Sequence, residues 1–117
     1  MNELARLTIE ERSQVAVASV RGELDISNSA ATGDAIASEL QLEAKGLIVD
    51  FSELDFLDSS AISMLFSLAR KLGERRQELH VVAPQGKAVA RVLDIVEFGR
   101  AAPVHATLDD ALAAAGA

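Results

Sequence analysis

Three consecutive residues, Asp58, Ser59 and Ser60, put a carboxylate and two hydroxyls directly ahead of a periodic apolar segment. Side chains of these types have two uses at such a place. At a helix start, an oxygen accepts hydrogen bonds from the first-turn amides, which have no partner within the helix. A serine hydroxyl there is also a suitable phosphoryl acceptor, because the same amides and the positive end of the helix dipole stabilise added anionic charge. Taken alone, these residues favour a cap, formed by Asp58 or Ser59, and permit a switch.

The helix behind them divides cleanly. At 100° per residue, Ser60, Ser63, Ser67, Arg70, Lys71 and Glu74 share one arc of roughly 100°. Ile62, Leu65, Ala69 and Leu72 lie opposite and are expected on a sheet. Leu68 and Phe66, at the two margins, are expected in the core. Met64, whose neighbours on the wheel are Ser60, Ser67 and Lys71, is expected to offer an exposed apolar contact.

The elements that must carry this helix can be read on either side of it. "LARLTIEER" and "QVAVASVRG" alternate as strands, and the polar "ERSQ" between them predicts a hairpin turn. Ser27, Asn28 and Ser29 are capping types ahead of Ile36, Ala37, Leu40 and Ala44 at helical spacing. Gly33 weakens that helix, and "KG" at 45–46 stops it. "LIVDF" (47–51) and "LHVVA" (79–83) read as strands buried on both faces. Residues 85–96 carry a helical stripe at Val89, Val92, Leu93 and Val96. "PVHA" reads as a short last strand and "TLDDALAAA" as a final helix capped by Thr107. A helix after each central strand implies parallel neighbours with right-handed crossovers, and the opening hairpin makes the sheet mixed. The expectation is one α/β domain over 1–117, with four to five strands and about four helices.

Composition narrows the function classes. The 117 residues are 50% hydrophobic and 25% charged, a balance that builds a globular core. Eleven basic and eighteen acidic residues give a net charge of −7, with no Trp or Tyr and four Phe. Nucleic acid and anionic membrane are therefore disfavoured as partners, and a basic protein surface would be attracted. No apolar run reaches the length of a membrane span, and "MNELARLTIEERS" is unlike a signal peptide, so a cytoplasmic protein is expected. There are no cysteines. His80 and His105 are too few for a histidine-rich metal site and read as surface or internally satisfied side chains. No metal or cofactor is expected.

"VDFSELDFLDSSAISMLFSLARKL" resembles the signature of STAS-domain anti-sigma factor antagonists, in which a buried strand ending in Asp is followed by an "S-x-L-x-F-x-D-S-S-G" loop that opens a helix. "VRGELDISNS" is similar to the family's "L-x-G-E-L-D" turn, and the likeness extends through "HVVAPQGKAVARVLDIVEF" in the right order. The resemblance implies a STAS fold and a partner-switching role. The unphosphorylated antagonist binds an anti-sigma factor, commonly a serine kinase, and so frees a sigma factor. Phosphorylation ends the complex, and a PP2C-type phosphatase restores the active form. The acceptor position corresponds to Ser59, with Ser60, Asp58 and Asp25 around it. Ser63, Met64 and Ser67 would lie in or near the partner surface. Ala61 stands where the family usually has Gly. As a residue of the first helical turn it would be harmless.

Other readings fit less well. A receiver-type phosphoacceptor built on Asp50 needs an acidic pair after the first strand and a well-placed late Lys, whereas this chain has "ERSQV" and a displaced Lys87. Asp50 is better explained as an acid bonded to loop amides. Asp50, Asp55 and Asp58 have no His, Cys or Lys nearby in sequence with which to form a catalytic set, so an enzyme is not expected. A STAS scaffold or ligand-sensing module that does not itself release a sigma factor is the alternative within the fold.

Overall fold

The computed structural model describes residues 4–116. The chain opens with β1 (Ala5–Arg12) and β2 (Val15–Leu24), followed by α1 (Ser29–Glu39), β3 (Gly46–Asp50) and β4 (Leu54–Leu57). The second half holds α2 (Ser59–Glu74), β5 (Glu78–Val82), α3 (Ala88–Ile95), a 3-10 turn at Phe98–Arg100, β6 (Val104–His105) and α4 (Leu108–Ala115). The sheet runs β1-β2-β3-β5-β6, with β4 pairing β2. Only β1 is antiparallel to its neighbour; the β2–β3, β3–β5, β5–β6 and β2–β4 pairs are parallel. The expected α/β fold with a mixed sheet is therefore present, with six strands among the described residues in place of four or five.

The hairpin closes at Ser13 and Gln14, both in the left-handed region (φ 51° and 71°), as a two-residue turn between twisted strands requires. Gly22 also has a positive φ of 94°, and a Cβ there would stand 2.1 Å from the Leu4 carbonyl oxygen, so the end of the hairpin admits no side chain. Directly beyond Gly22, β2 shifts register and receives β4. The added strand lies within the segment whose sequence resembles the family's loop ahead of α2. Its buried residues are Leu54 and Leu57, three apart, and that spacing lacks the alternation of a strand.

The strands β2, β3 and β5 bury both faces. Ala16, Ala18, Val20, Leu47, Val49, Leu79 and Val81 belong to the larger core with α1, α2 and α3. Val15, Val17, Ile48 and Val82 meet Ala111 and Ala115 of α4 on the other side. α4 thus covers the second face of the sheet, capped as expected by Thr107, whose hydroxyl accepts from the Asp110 amide at 3.1 Å. Leu65, Leu68 and Leu72 seat α2 on the sheet, each contributing about 2 kcal/mol by burial. Two helices depart from the sequence pattern. α1 stops at Glu39, before Ala44, because Leu40 turns to extended backbone. α3 is confined to 88–95, and the 3-10 turn after it buries Phe98. Among the described residues no helix is long and apolar enough to cross a membrane.

The two histidines meet across β5 and β6. His80 Nδ1 lies 2.9 Å from His105 Nε2, and His80 Nε2 lies 2.9 Å from Glu78 Oε1. With the Glu78 carboxylate accepting from His80 Nε2–H, His80 Nδ1 is the acceptor for His105 Nε2–H. Burial, and then electrostatic coupling to His80, hold the His105 pKa below its ordinary 6.5, against a smaller opposing pull from Asp110. The unfolded chain therefore takes up a proton that the folded chain resists, and His105 removes stability as pH falls below 6.5. The melting temperature should decline between about pH 7.5 and about pH 5.5. His105→Gln should flatten that slope; an unchanged slope would show that His105 is not its source.

Candidate functional site

β2 and β4 bring the site together. Leu24 pairs with Leu57 in the parallel register, so Asp25 and Asp58 are the next residues out on adjacent strands. The Asp58 amide donates to the Leu24 carbonyl at 3.2 Å. Asp58 is the N-cap of α2 in extended backbone (φ −113°, ψ −171°). Its Oδ1 accepts from the Ser60 amide at 2.9 Å and the Ala61 amide at 3.3 Å. It also accepts a short hydrogen bond from the Ser60 hydroxyl, and the Ile26 amide exerts a weaker favourable pull on the same carboxylate. Of the two capping candidates, Asp58 holds the position.

The two serines are thereby made different. Ser60 is half-buried; its hydroxyl donates to Asp58 and lies 3.0 Å from the hydroxyl of Ser29, the first residue of α1. Ser59, the first residue of α2, is exposed, and among the described residues its hydroxyl has no hydrogen-bond partner. Ala61 is fully buried within the helix, outside the left-handed region, so the absent glycine leaves the backbone undisturbed.

Asp25 organises its own loop. Its Oδ1 accepts from the Ser27 amide at 2.8 Å and from the Ser27 hydroxyl. Asn28, at the N-cap position of α1, makes no capping hydrogen bond with its side chain. Instead Asn28 Oδ1 accepts from the Asp25 amide, and Nδ2 donates to the Glu23 carbonyl, each at 2.9 Å. This closed loop carries Ile26, which is 85% exposed. Asp50, at the end of β3, likewise accepts from the Ser52 amide at 2.9 Å, the loop-amide role expected of it.

A groove of about 590 Å³ runs between α1 and α2 beside Ser59. Ser59, Ser60, Ser63 and Ser67 lie along it, with Ile26 at one end and Arg70 and Lys71 at the other. Met64 corrects an expectation. It is 7% exposed and packs on α1, where a Cβ at Gly33 would stand 2.5 Å from Met64 Cγ. The helical wheel places Met64 beside polar residues, but the neighbouring helix covers it. Phe66 departs the other way: it is 39% exposed, edge-to-face with Phe98 at 5.0 Å. Leu68 is core, as expected. Ile26 and Ser29 were missed as site residues. An isoleucine inside the polar turn "DISNS" is the one signal that marks the former.

The STAS domain profile matches residues 6–111. The chain belongs to the STAS domain family. The anti-sigma-F factor antagonist RsfA of Mycobacterium tuberculosis is 28% identical to this STAS chain over 111 residues, 93% of this chain and 86% of RsfA. RsfB of the same organism, also an anti-sigma-F factor antagonist, is 29% identical over 106 residues, 91% and 85% of the two chains. The crystal structure of an anti-sigma factor antagonist from Mycobacterium paratuberculosis matches with a TM-score of 0.86 at 29% identity, over 97% of this chain and 95% of that one. Unphosphorylated SpoIIAA shares the STAS fold with a TM-score of 0.70 at 21% identity, over 92% and 94%.

The Ser60 hydroxyl, before the backbone amides, holds the Asp58 pKa below its ordinary 3.8, against a desolvation effect in the opposite direction. Asp58 thus adds stability above pH 3.8 that is lost as pH falls through its lowered pKa. In a carboxyl-carbon NMR titration, Ser60→Ala should move the Asp58 midpoint up and Ser59→Ala should leave it in place. Equal effects of the two variants would contradict the division of the serines. Gly33→Ala should lower stability even though Ala is favoured in a helix interior by about 1 kcal/mol, because overpacking costs about 1–3 kcal/mol. In a Met64→Ala background the same change should become stabilising, as read by urea unfolding.

Proposed function

We propose that this chain is an anti-sigma factor antagonist switched at Ser59. Unphosphorylated, it binds an anti-sigma factor that is a serine kinase, and a sigma factor is released. Phosphorylation of Ser59 ends the complex, and a PP2C-type phosphatase reverses the modification. On this reading the chain is the substrate of an enzyme and has no catalysis of its own.

One observation carries the proposal. Of the paired hydroxyls at the start of α2, Ser60 is engaged with Asp58 and Ser29, while Ser59 is exposed and free among the described residues. A kinase needs an accessible hydroxyl, and only one of the two meets that need. The antagonist names of the similar mycobacterial proteins support the same role.

The chemistry of the surroundings explains why phosphate would release a partner. The modification adds about −1.5 to −2 charges. The amides that could receive them, those of Ser60 and Ala61, already donate to Asp58. Asp25 engages the adjacent loop. The new charge would therefore stand beside two carboxylates without a local partner, and burying it in an interface would be unfavourable. Ile26 and the groove holding Ser63 and Ser67 form the contact surface in this reading, with Met64 as its buried floor.

The test uses kinase-type anti-sigma factors from the same genome. With ATP, wild type should gain one phosphoryl group by intact mass and lose its complex with the kinase. Ser59→Ala should gain none and remain bound; Ser59→Asp should bind more weakly, although a single carboxylate imitates phosphate imperfectly. If Ser59→Ala is phosphorylated as wild type is, the site is wrong. A stable complex without phosphorylation would favour the scaffold reading.

A further inference from the structure

β1 is an edge strand, and its backbone pattern shows what it offers. The Glu23 amide donates to the Leu4 carbonyl at 2.9 Å, extending the β1–β2 register. In an antiparallel ladder the hydrogen-bonded pairs alternate. Arg6, Thr8, Glu10 and Arg12, in step with Leu4, therefore direct their backbone groups at β2. Ala5, Leu7, Ile9 and Glu11 direct theirs away, and among the described residues no strand pairs that side. Exposed edges are commonly blunted by Pro, charged side chains (Lys above all), a bulge or short length. β1 is eight residues long, has no Pro and pairs with β2 without a register break; its charges, Arg6, Glu10, Glu11 and Arg12, are of both signs and so repel or attract a facing strand according to register.

We propose that this edge binds a second copy of the chain, β1 against β1 antiparallel, about a two-fold axis at Thr8. The side chains are self-complementary in that register. Leu7 faces Ile9 of the other copy, both with outward backbone groups, so each such pair exchanges hydrogen bonds. Arg6 faces Glu10, and Thr8 faces Thr8, in the closer non-hydrogen-bonded pairs where cross-strand side chains interact most. By symmetry the Arg–Glu pair forms twice. Sliding the register by two residues one way sets Arg6 against Arg12; sliding it the other way leaves Arg6 against Thr8 and removes the charge pairing. Among the described residues of the single chain, Glu10 pairs only with exposed Arg12 at 3.3 Å, and Arg6 makes no ion pair. The dimer would join two sheets through their hairpins, independently of the Ser59 reading.

Sedimentation equilibrium over a wide concentration range tests the proposal. Wild type should shift reversibly from the mass of one chain towards that of two. Arg6→Glu and Glu10→Arg should each weaken self-association by about tenfold, since each turns two attractive pairs into repulsive ones. Mixed together, the two variants should associate as well as wild type, because every cross-strand pair is then opposite in sign. The double variant Arg6→Glu/Glu10→Arg should also recover, which separates lost pairing from lost folding. Amide exchange at Leu7, Ile9 and Glu11 should slow with concentration, while exchange at Thr8 and Glu10 should not. A wild type that stays monomeric throughout overturns the proposal, as does a dimer indifferent to the reversals or a mixture that associates no better than its components.

Discussion

The carboxylate of Asp58 organises the whole upper end of this domain. It accepts from two amides of its own helix and from the Ser60 hydroxyl. One group therefore defines where α2 begins and decides which of two adjacent serines keeps a free hydroxyl. The energy that holds α2 on the sheet lies elsewhere, in Leu65, Leu68 and Leu72 at about 2 kcal/mol each. Burial places the helix, and the cap sets its first residue. That separation lets an exposed residue at the helix start change chemically without dislodging the core beneath it.

The groove beside Ser59 has a related origin. α1 and α2 approach closely because Gly33 presents no side chain to Met64. Met64 fills that contact, leaving the serines of α2 along an open channel with Ile26 at its end. An apolar side chain that is 85% exposed, beside an unengaged hydroxyl, is a surface suited to a protein partner more than to catalysis. Asp25, Asp50 and Asp58, on this end of the sheet, are already committed to loop and helix amides, so added negative charge at Ser59 meets acids and few free donors.

Much of this was legible in the residues. The hairpin, the buried strands and the extent of α2 followed from alternation, continuous apolar runs and helical periodicity, which report how each segment meets the core. Other features depended on neighbours distant in sequence. Leu54 and Leu57 carry no strand period, yet β4 forms because β2 continues past its pairing with β3 and leaves an edge to be filled. A wheel for α2 describes only its own faces, so it exposed Met64, which α1 covers, and buried Phe66, which rests on Phe98 at the rim. The His80–His105 contact joins residues 25 apart through the β5–β6 pairing, and neither histidine's local sequence announces it. At the site, the motif marked Asp58, Ser59 and Ser60 together. The hydrogen bond that tells the serines apart needed the Ser29 and Asp58 geometry.

The central claim is that Asp58 engages Ser60 and leaves Ser59 as the one available acceptor. Its most direct measurement is fragmentation mass spectrometry that assigns the phosphoryl group after reaction of the wild-type chain with a cognate kinase and ATP. Phosphate confined to Ser59 is the result this account predicts. Phosphate on Ser60, or divided between the two serines while the Asp58–Ser60 hydrogen bond is intact, would contradict it.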